Sequence, residues 1–443
     1  MNNLGRICAL SFASLHCWAA VTVTVGTNPN AVVLSGKIVV PDQIIDGKVV
    51  IQGSDIACVG ATCTEPAGAT SFTVTDGFIF PGFVDAHNHV AYNVLGKFAP
   101  PHLFQNRGQW QRTPDYKTFK APYNEIRDKG LACEMIKYGE MKALISGITT
   151  IQGTSPASPC IETLVRNAEN RNGLGVDSRL IRTYILDIGS FDQTIDFSVT
   201  KSFVVHLAEG IDQKSRDEFA ILKKKGLLKP QTAIIHGTAF EDAEFEEMGR
   251  IGAKLIWSPQ SNLALYGKTT QIPLALNHGV NVSLGVDWNP TGSDDIFQEL
   301  RVAARVNQEQ FGGAIPKSNW IKMITSNPAA ALALDSKIGK LASGLKADIT
   351  VLAASDPDPA DSLLKTHLPD VQMVWVGGEL LYGDADVVQK VKPGACETLD
   401  VHGSSKRICV KDTKHPVPKS EQTKQQIQDA LKSRFSSLAP LVP

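Results

Sequence analysis

Four histidines and one aspartate stand at the ends of short apolar runs, and their types suit divalent-metal chemistry. Phe83-Val84-Asp85-Ala86 leads into His87-Asn88-His89. Side chains two apart on a strand point the same way, so both imidazoles can face one point. Such a pair suits Zn²⁺ or Fe²⁺. Phe203-Val204-Val205 ends in His206, Ala233-Ile234-Ile235 in His236, and Val282-Ser283-Leu284-Gly285-Val286 in Asp287. A single histidine in such a place is commonly a core residue; a coincidence at separate strand ends calls for a shared site. Glu209 follows His206 closely and can act as a proton shuttle, while Asp287 can both bind metal and accept a proton from water. His236 can hydrogen-bond that water or a substrate.

These side chains meet only if the runs that carry them are parallel strands. Strands are expected at 83–86, 148–152, 180–186, 203–205, 233–235, 254–257 and 282–286, with helical patterns at 133–144, 217–225, 242–251 and 296–306. Alternation of strand and helix predicts parallel βα units. In a parallel barrel the strand C-termini converge on one face, where active sites form. The fold class expected is therefore α/β: a (β/α)₈ TIM-like barrel over 81–343. The fourth of its strands has little room between Leu186 and Phe203. Alternating runs over 26–80 return at 344–385, which predicts a small β-sandwich domain built from both chain ends. Residues 386–443 form a C-terminal extension, irregular at first, with a disulfide and a terminal helix over about 420–438 carrying Ile427, Leu431 and Phe435 on one face. The segment 102–123 is expected to cap the site as a lid, with His102, Gln105 and Trp110 as candidate substrate contacts.

The chain has 443 residues, 43% hydrophobic and 20% charged, enough for a large barrel and a satellite. Its 44 basic against 45 acidic residues leave no basic excess for nucleic acid. No interior run is long and apolar enough to span a bilayer. The expected partner is a small-molecule substrate, and self-association into a homo-oligomer stays open. Arg6 followed by a mostly apolar stretch up to Val25 resembles a signal peptide over 1–25, with small residues near Ala19 and Ala20 for cleavage. The competing reading is a first strand of the satellite domain. An exported (secreted or periplasmic) chain would keep Cys58, Cys63, Cys133, Cys160, Cys396 and Cys409. Local spacing suggests the pairs Cys58–Cys63, Cys133–Cys160 and Cys396–Cys409.

The stretch from Phe80 through Pro81-Gly82-Phe83-Val84-Asp85-Ala86-His87-Asn88 to His89 resembles the first-strand signature of the amidohydrolase superfamily. His206-Leu207-Ala208-Glu209-Gly210, Ile235-His236-Gly237 and Ser258-Pro259-Gln260-Ser261-Asn262-Leu263 are similar to further motifs of it. So are the run from Gly279 to Asp287 and the run from Gly339 to Asp348. The similarity extends in order from about Gly36 to Gly383. It is nearest to the branch of cytosine, guanine and adenosyl-homocysteine deaminases and triazine hydrolases. The resemblance implies one divalent metal ion, Zn²⁺ first and Fe²⁺ second, held by His87, His89, His206 and Asp287. Glu209, His236 and Asp287 would be the catalytic residues. Two-metal relatives bridge their ions with a carboxylated lysine on the fourth strand, and no lysine stands at a convincing strand end there. Val286, Trp288 and Asn88 depart from the family pattern and are expected to reshape the pocket.

The activity implied is hydrolysis of a C–N bond, other than a peptide bond in protein, by a metal-activated water. Glu209 favours deamination of a heteroaromatic ring. Export favours an amidase, a lactamase or a hydrolase of xenobiotic ring substituents. A catalytically inactive scaffold on the same fold is the third reading, opposed by the intact ligands.

Overall fold

The computed structural model describes residues 21–41, 43–153, 160, 164–169, 174, 176–177, 179–412 and 418–443. Most of the expected leader lies outside these residues.

The site-bearing part is built from parallel strands in two sheets. We label them β1 (Phe83–Asp85), β2 (Ile148–Ile151), β3 (Arg166–Asn167), β4 (Ile181–Tyr184), β5 (Ser202–Leu207), β6 (Thr232–His236), β7 (Lys254–Trp257) and β8 (Asn281–Leu284). The first three pair in order, and β4 to β8 form a second sheet in sequential order. Every residue of β5 and β6 is buried, which is why both read as nearly continuous apolar runs. At one seam, a parallel bridge between Asn88 and Asp287 follows β1 and β8. There the Ala86 N–H donates to the Leu284 carbonyl at 3.2 Å. At the other seam, between β3 and β4, no strand ladder forms among the described residues, and the link is made by side chains. Gln152 Nε2 donates to the Thr183 hydroxyl at 3.1 Å, and that hydroxyl donates to Glu169 at 2.9 Å. This is an α/β fold with parallel strands.

One expectation is corrected here. The run at 180–186 is the fourth strand, not the third, and the short strand is β3, the two residues Arg166 and Asn167. It escaped notice because two residues carry no periodicity. The observed β4 contains no lysine.

Helices follow the strands, and their ends are set by local chemistry. The Asp212 side chain accepts from the Ser215 N–H ahead of Gln213–Lys224. A reciprocal pair, Glu241 and Glu244, opens Asp242–Ile251, and Gly252 closes it at φ 84°. Asp295 accepts from the Gln298 N–H at the start of Ile296–Gln310. These helices bury Phe219, Leu222, Phe245, Met248, Leu300 and Ala303 against the strands.

Strands from both chain ends share one ten-stranded sheet. Thr70–Pro81 lies at its centre, between Ala31–Val40 and Ile349–Ala353. Val21–Thr24, expected at the end of the leader, also pairs with Thr70–Pro81. Leu34, Ile38, Val49, Phe72, Ile79, Val351 and Trp375 belong to one buried cluster on this sheet. Beyond Asp384 the chain is less irregular than expected. The hairpin Glu397–Val401 and Ser404–Ile408 joins the sheet beside Glu379–Asp384. Its turn places His402 and Gly403 at φ 50° and 84°, a primed turn in which histidine replaces the usual Asn or Asp. The terminal helix is shorter than expected, Lys424–Lys432, and packs Ile427 and Leu431 inward. The three disulfides pair as spacing suggested: Cys58–Cys63, Cys133–Cys160 and Cys396–Cys409.

The central sheet strand is separated from β1 by Gly82 alone, so the sheet delivers the first two histidines. Asp348 secures this junction. Its carbonyl accepts from the Gly82 N–H at 2.7 Å, and its carboxylate takes two hydrogen bonds from Arg166 at 2.7 and 3.0 Å. Both side chains are buried. Truncating one partner of a buried ion pair costs about 3–5 kcal/mol. Asp348→Ala should therefore lower the urea midpoint substantially; a shift worth less than ~1 kcal/mol would show that the pair does not secure the junction.

Candidate metal centre

The strand ends bring the expected residues together. His87, His89 and His206 each offer a ring nitrogen, and the three atoms lie within 4.8 Å of one another; the same holds for His87, His236 and Asp287. Asp287 Oδ1 is 3.1 Å from His87 Nε2 and 3.5 Å from His89 Nε2. Four ligands at ~2.0–2.1 Å around a tetrahedral ion would stand ~3.4 Å apart, so these spacings fit a common cation. His206 Nδ1 is buried and has no hydrogen-bond partner among the described residues. A buried imidazole nitrogen without a partner is costly unless something else occupies its lone pair or proton. The donor set thus fits a divalent metal.

Electrostatics agree. Burial holds His89 and His236 down at about 4, and pushes His206 well below its ordinary value, so all three are neutral donors. Burial opposes ionisation of Asp287, but the hydrogen bond and charge of His87 and the charges of His236 and His89 outweigh it and hold the carboxyl well below the usual range. For His87, burial is outweighed by Asp287 and Asp85, which raise its pKa. The neutral imidazoles of His89, His206 and His236 and the carboxylate of Asp287 suit a dication, and binding one would displace the proton that Asp287 and Asp85 favour on His87.

The backbone is shaped for this. His236 and Asp287 sit at φ 71° and 66°, in the left-handed region that non-glycine residues seldom adopt. The Thr270 hydroxyl holds the His236 carbonyl at 2.7 Å. The Asp287 N–H donates to His87 O at 2.9 Å, and the Asp287 carbonyl accepts from His89 N–H at 2.6 Å. Such strain persists only where neighbours over-determine it, commonly at functional sites. Gly285 allows β1 and β8 to close together: a Cβ there would meet His87 N at 2.6 Å.

Several residues that sequence reasoning did not single out support the centre. Gln152 Oε1 lies 3.4 Å from His87 Nδ1, and its Nε2 donates to buried Glu169 at 2.6 Å. Asp85 accepts from the N–H groups of His87 and Val286 at 3.3 and 3.2 Å and from Asn88 Nδ2 at 2.7 Å. The unusual Asn88 therefore ties the turn rather than entering the site. Asn262 Oδ1 faces His236 Nδ1 at 3.0 Å while its Nδ2 donates to Thr269 and Thr270. That orientation puts the proton on His236 Nδ1 and leaves Nε2 as an acceptor facing the site. Asn262 stood in a quoted motif; Gln152 ended an expected strand; Glu169 had no signal.

Glu209 is buried beside the histidines, with Oε2 3.8 Å from His236 Nε2 and 4.0 Å from Arg107 Nη1. Burial pushes its carboxyl up to about 7, against the pull of Arg107. The Tyr266 hydroxyl donates to Glu209 Oε1 at 2.8 Å and accepts from Trp110 Nε1 at 2.9 Å. Segment 102–123 thus reaches the site through Trp110, which packs with Tyr116, Tyr266 and Trp288. His102 and Gln105 are exposed and make no contact with this centre among the interactions described. Losing a hydrogen bond to a carboxylate is worth about 1.5–3 kcal/mol, or ~10- to 100-fold in rate if it acts in the transition state. Tyr266→Phe should lower kcat within that range with metal content unchanged; equal kcat would show that the hydroxyl plays no part in positioning Glu209.

Residues 194–381 match the model of the Amidohydrolase family. A 5-methylthioadenosine/S-adenosylhomocysteine deaminase from Haloarcula marismortui is 24% identical over 84% of this chain and 97% of its own length. Among solved structures, atrazine chlorohydrolase from Arthrobacter aurescens, complexed with zinc, superposes with a TM-score of 0.60 at 16% identity, covering 79% of this chain and 95% of that one. Guanine deaminase from E. coli gives 0.58 at 16% identity, covering 79% and 99%. The structural likeness concerns the fold. The homologues by sequence are deaminases, hydrolases of carbon–nitrogen bonds.

Proposed function

We propose that the protein is a metal-dependent hydrolase that deaminates a small heteroaromatic substrate, with the eight parallel strands acting as one barrel around the site. His87, His89, His206 and Asp287 would hold one divalent ion, zinc first. When bound, that ion would supply Lewis-acid activation of a water, lowering its pKa towards ~7. The carboxylate of Asp287 takes up the proton that the water loses. His236, its Nδ1–H directed to Asn262, presents Nε2 to the water or to a substrate N–H. Glu209, held by Tyr266, hands a proton to the departing nitrogen. Burial of His87, His206, His236, Asp287 and Glu209 strengthens their interactions by excluding water.

The observation that carries this reading is the cluster of four imidazoles around one ionised carboxylate, three of them held neutral, with a protonatable glutamate beside it. Metal analysis combined with ammonia release from aminopurines, aminopyrimidines and aminotriazines tests it. About one zinc per chain and stoichiometric ammonia are expected. Release of amines and carboxylates from amides, with no ammonia, would replace deamination by amide hydrolysis.

We also infer export, from the charge-then-apolar N-terminus and the three disulfides. Closing the loop between Cys133 and Cys160, a separation of 27 residues, removes loop entropy worth ~3–4 kcal/mol from the unfolded chain. Reduction should therefore shift the thermal midpoint down by several degrees. An identical melt with and without reductant would show that the bridges are not formed in the purified protein.

A further inference from the structure

A cavity of about 410 Å³ opens beside Glu209, between the 106–112 segment, the 185–187 segment and the start of helix Gln213–Lys224. Arg107 lies in its wall and is only 8% exposed. Its backbone N–H donates to the Glu209 carbonyl at 3.1 Å, which fixes it to the catalytic strand end. Nη1 donates to the Ile185 carbonyl at 3.3 Å. Nη2 is buried and has no partner among the described residues. A guanidinium nitrogen taken out of water and given no acceptor marks a place where an acceptor arrives with a ligand.

The surroundings narrow that ligand. Arg112 and Lys214 add positive charge at the cavity, and Asp187, Glu209 and Glu218 add carboxyl groups. Burial pushes Glu218, like Glu209, up to about 7, so these acids offset the cations incompletely. With one unpartnered guanidinium nitrogen to offer and the carboxyl of Asp187 in the same wall, the cavity suits a monoanion better than a dianionic phosphate. At the mouth, Ile185 and Leu186 are 51% and 61% exposed, an apolar shelf next to the charge.

We propose that Arg107 docks a carboxylate carried by the substrate a few bonds from the reacting carbon, while an apolar part of the same molecule lies on Ile185 and Leu186. The proposal rests on reading the neighbouring centre as the place of reaction, and it names the class of substrate: an amphipathic acid rather than a neutral heterocycle.

Calorimetric titration of the zinc-loaded protein with phenylacetate and with phenylacetamide tests it without turnover. Wild type should bind the acid at least ~10-fold more tightly than the amide, Arg107→Gln should abolish that preference, and Arg107→Lys should restore part of it, with zinc content equal in all three. Equal affinity for acid and amide in wild type overturns the proposal. A preference that persists in Arg107→Gln also overturns it, since the carboxylate would then sit on the metal. Should Arg107→Gln fail to fold, the ¹⁵N resonance of the Arg107 guanidinium in wild type, assigned by its absence in Arg107→Lys, must shift with phenylacetate and not with phenylacetamide; an unmoved resonance rejects the docking. Arg107-dependent acid binding by an enzyme that releases no ammonia from any heterocycle would reject deamination alone.

Discussion

His206→Ala is expected to lose the metal and at least ~10³-fold in kcat/KM, about 4 kcal/mol of transition-state stabilisation, while the protein stays folded. His206 is the penultimate residue of β5 and is 4% exposed, and its Nδ1 has no partner among the described residues. The truncation removes a donor while disrupting no described hydrogen bond of that ring nitrogen. The cavity left by an imidazole costs some stability. Metal content by elemental analysis and a far-ultraviolet spectrum check both halves. Full zinc occupancy in the variant would remove His206 from the ligand set. Zinc lost together with the fold would mean that the site is structural rather than catalytic.

Glu209→Gln should cost ~10²–10⁴-fold in kcat with zinc retained. Glutamine keeps the size and the acceptor that Tyr266 addresses at 2.8 Å, but it has no carboxyl proton to hand to the leaving nitrogen. The contrast with His206→Ala is the informative part: one variant should lose metal and rate together, the other rate alone. Single-turnover measurement at saturating substrate separates the chemical step from binding. A kcat within about threefold of wild type would assign the proton transfer elsewhere, with His236 the next group in line.

Much of this site was legible in the sequence because its residues sit where strands stop. Apolar runs ending in His87, His206, His236 and Asp287 are local signals, and parallel topology turns them into a common location. The supporting residues were less legible, since their roles depend on distant pairings. Gln152 and Glu169 matter because β2 and β4 approach each other, and Tyr266 matters because the 102–123 segment folds back onto it. Two-residue β3 carries no pattern to read, and its absence displaced the numbering of β4. The hairpin at Glu397–Ile408 was missed because its turn is His-Gly rather than Asn-Gly, although its flanking strands alternate well. The disulfides followed from short spacings, two of which flank a hairpin or a turn within one sheet.

The central sheet strand that runs into β1 has a temporal consequence. Thr70–Pro81 emerges early in synthesis, yet one of its neighbours, Ile349–Ala353, is made some 270 residues later. Until that partner arrives, the strand presents an open edge, and the rod that carries His87 and His89 is braced on one side only. Closing so long a loop is slow compared with local helix and hairpin formation. Assembly of the centre is thus deferred until nearly the whole chain is available. The export proposed above would gain from that delay, since the last strands to be made complete the support of the first ligands.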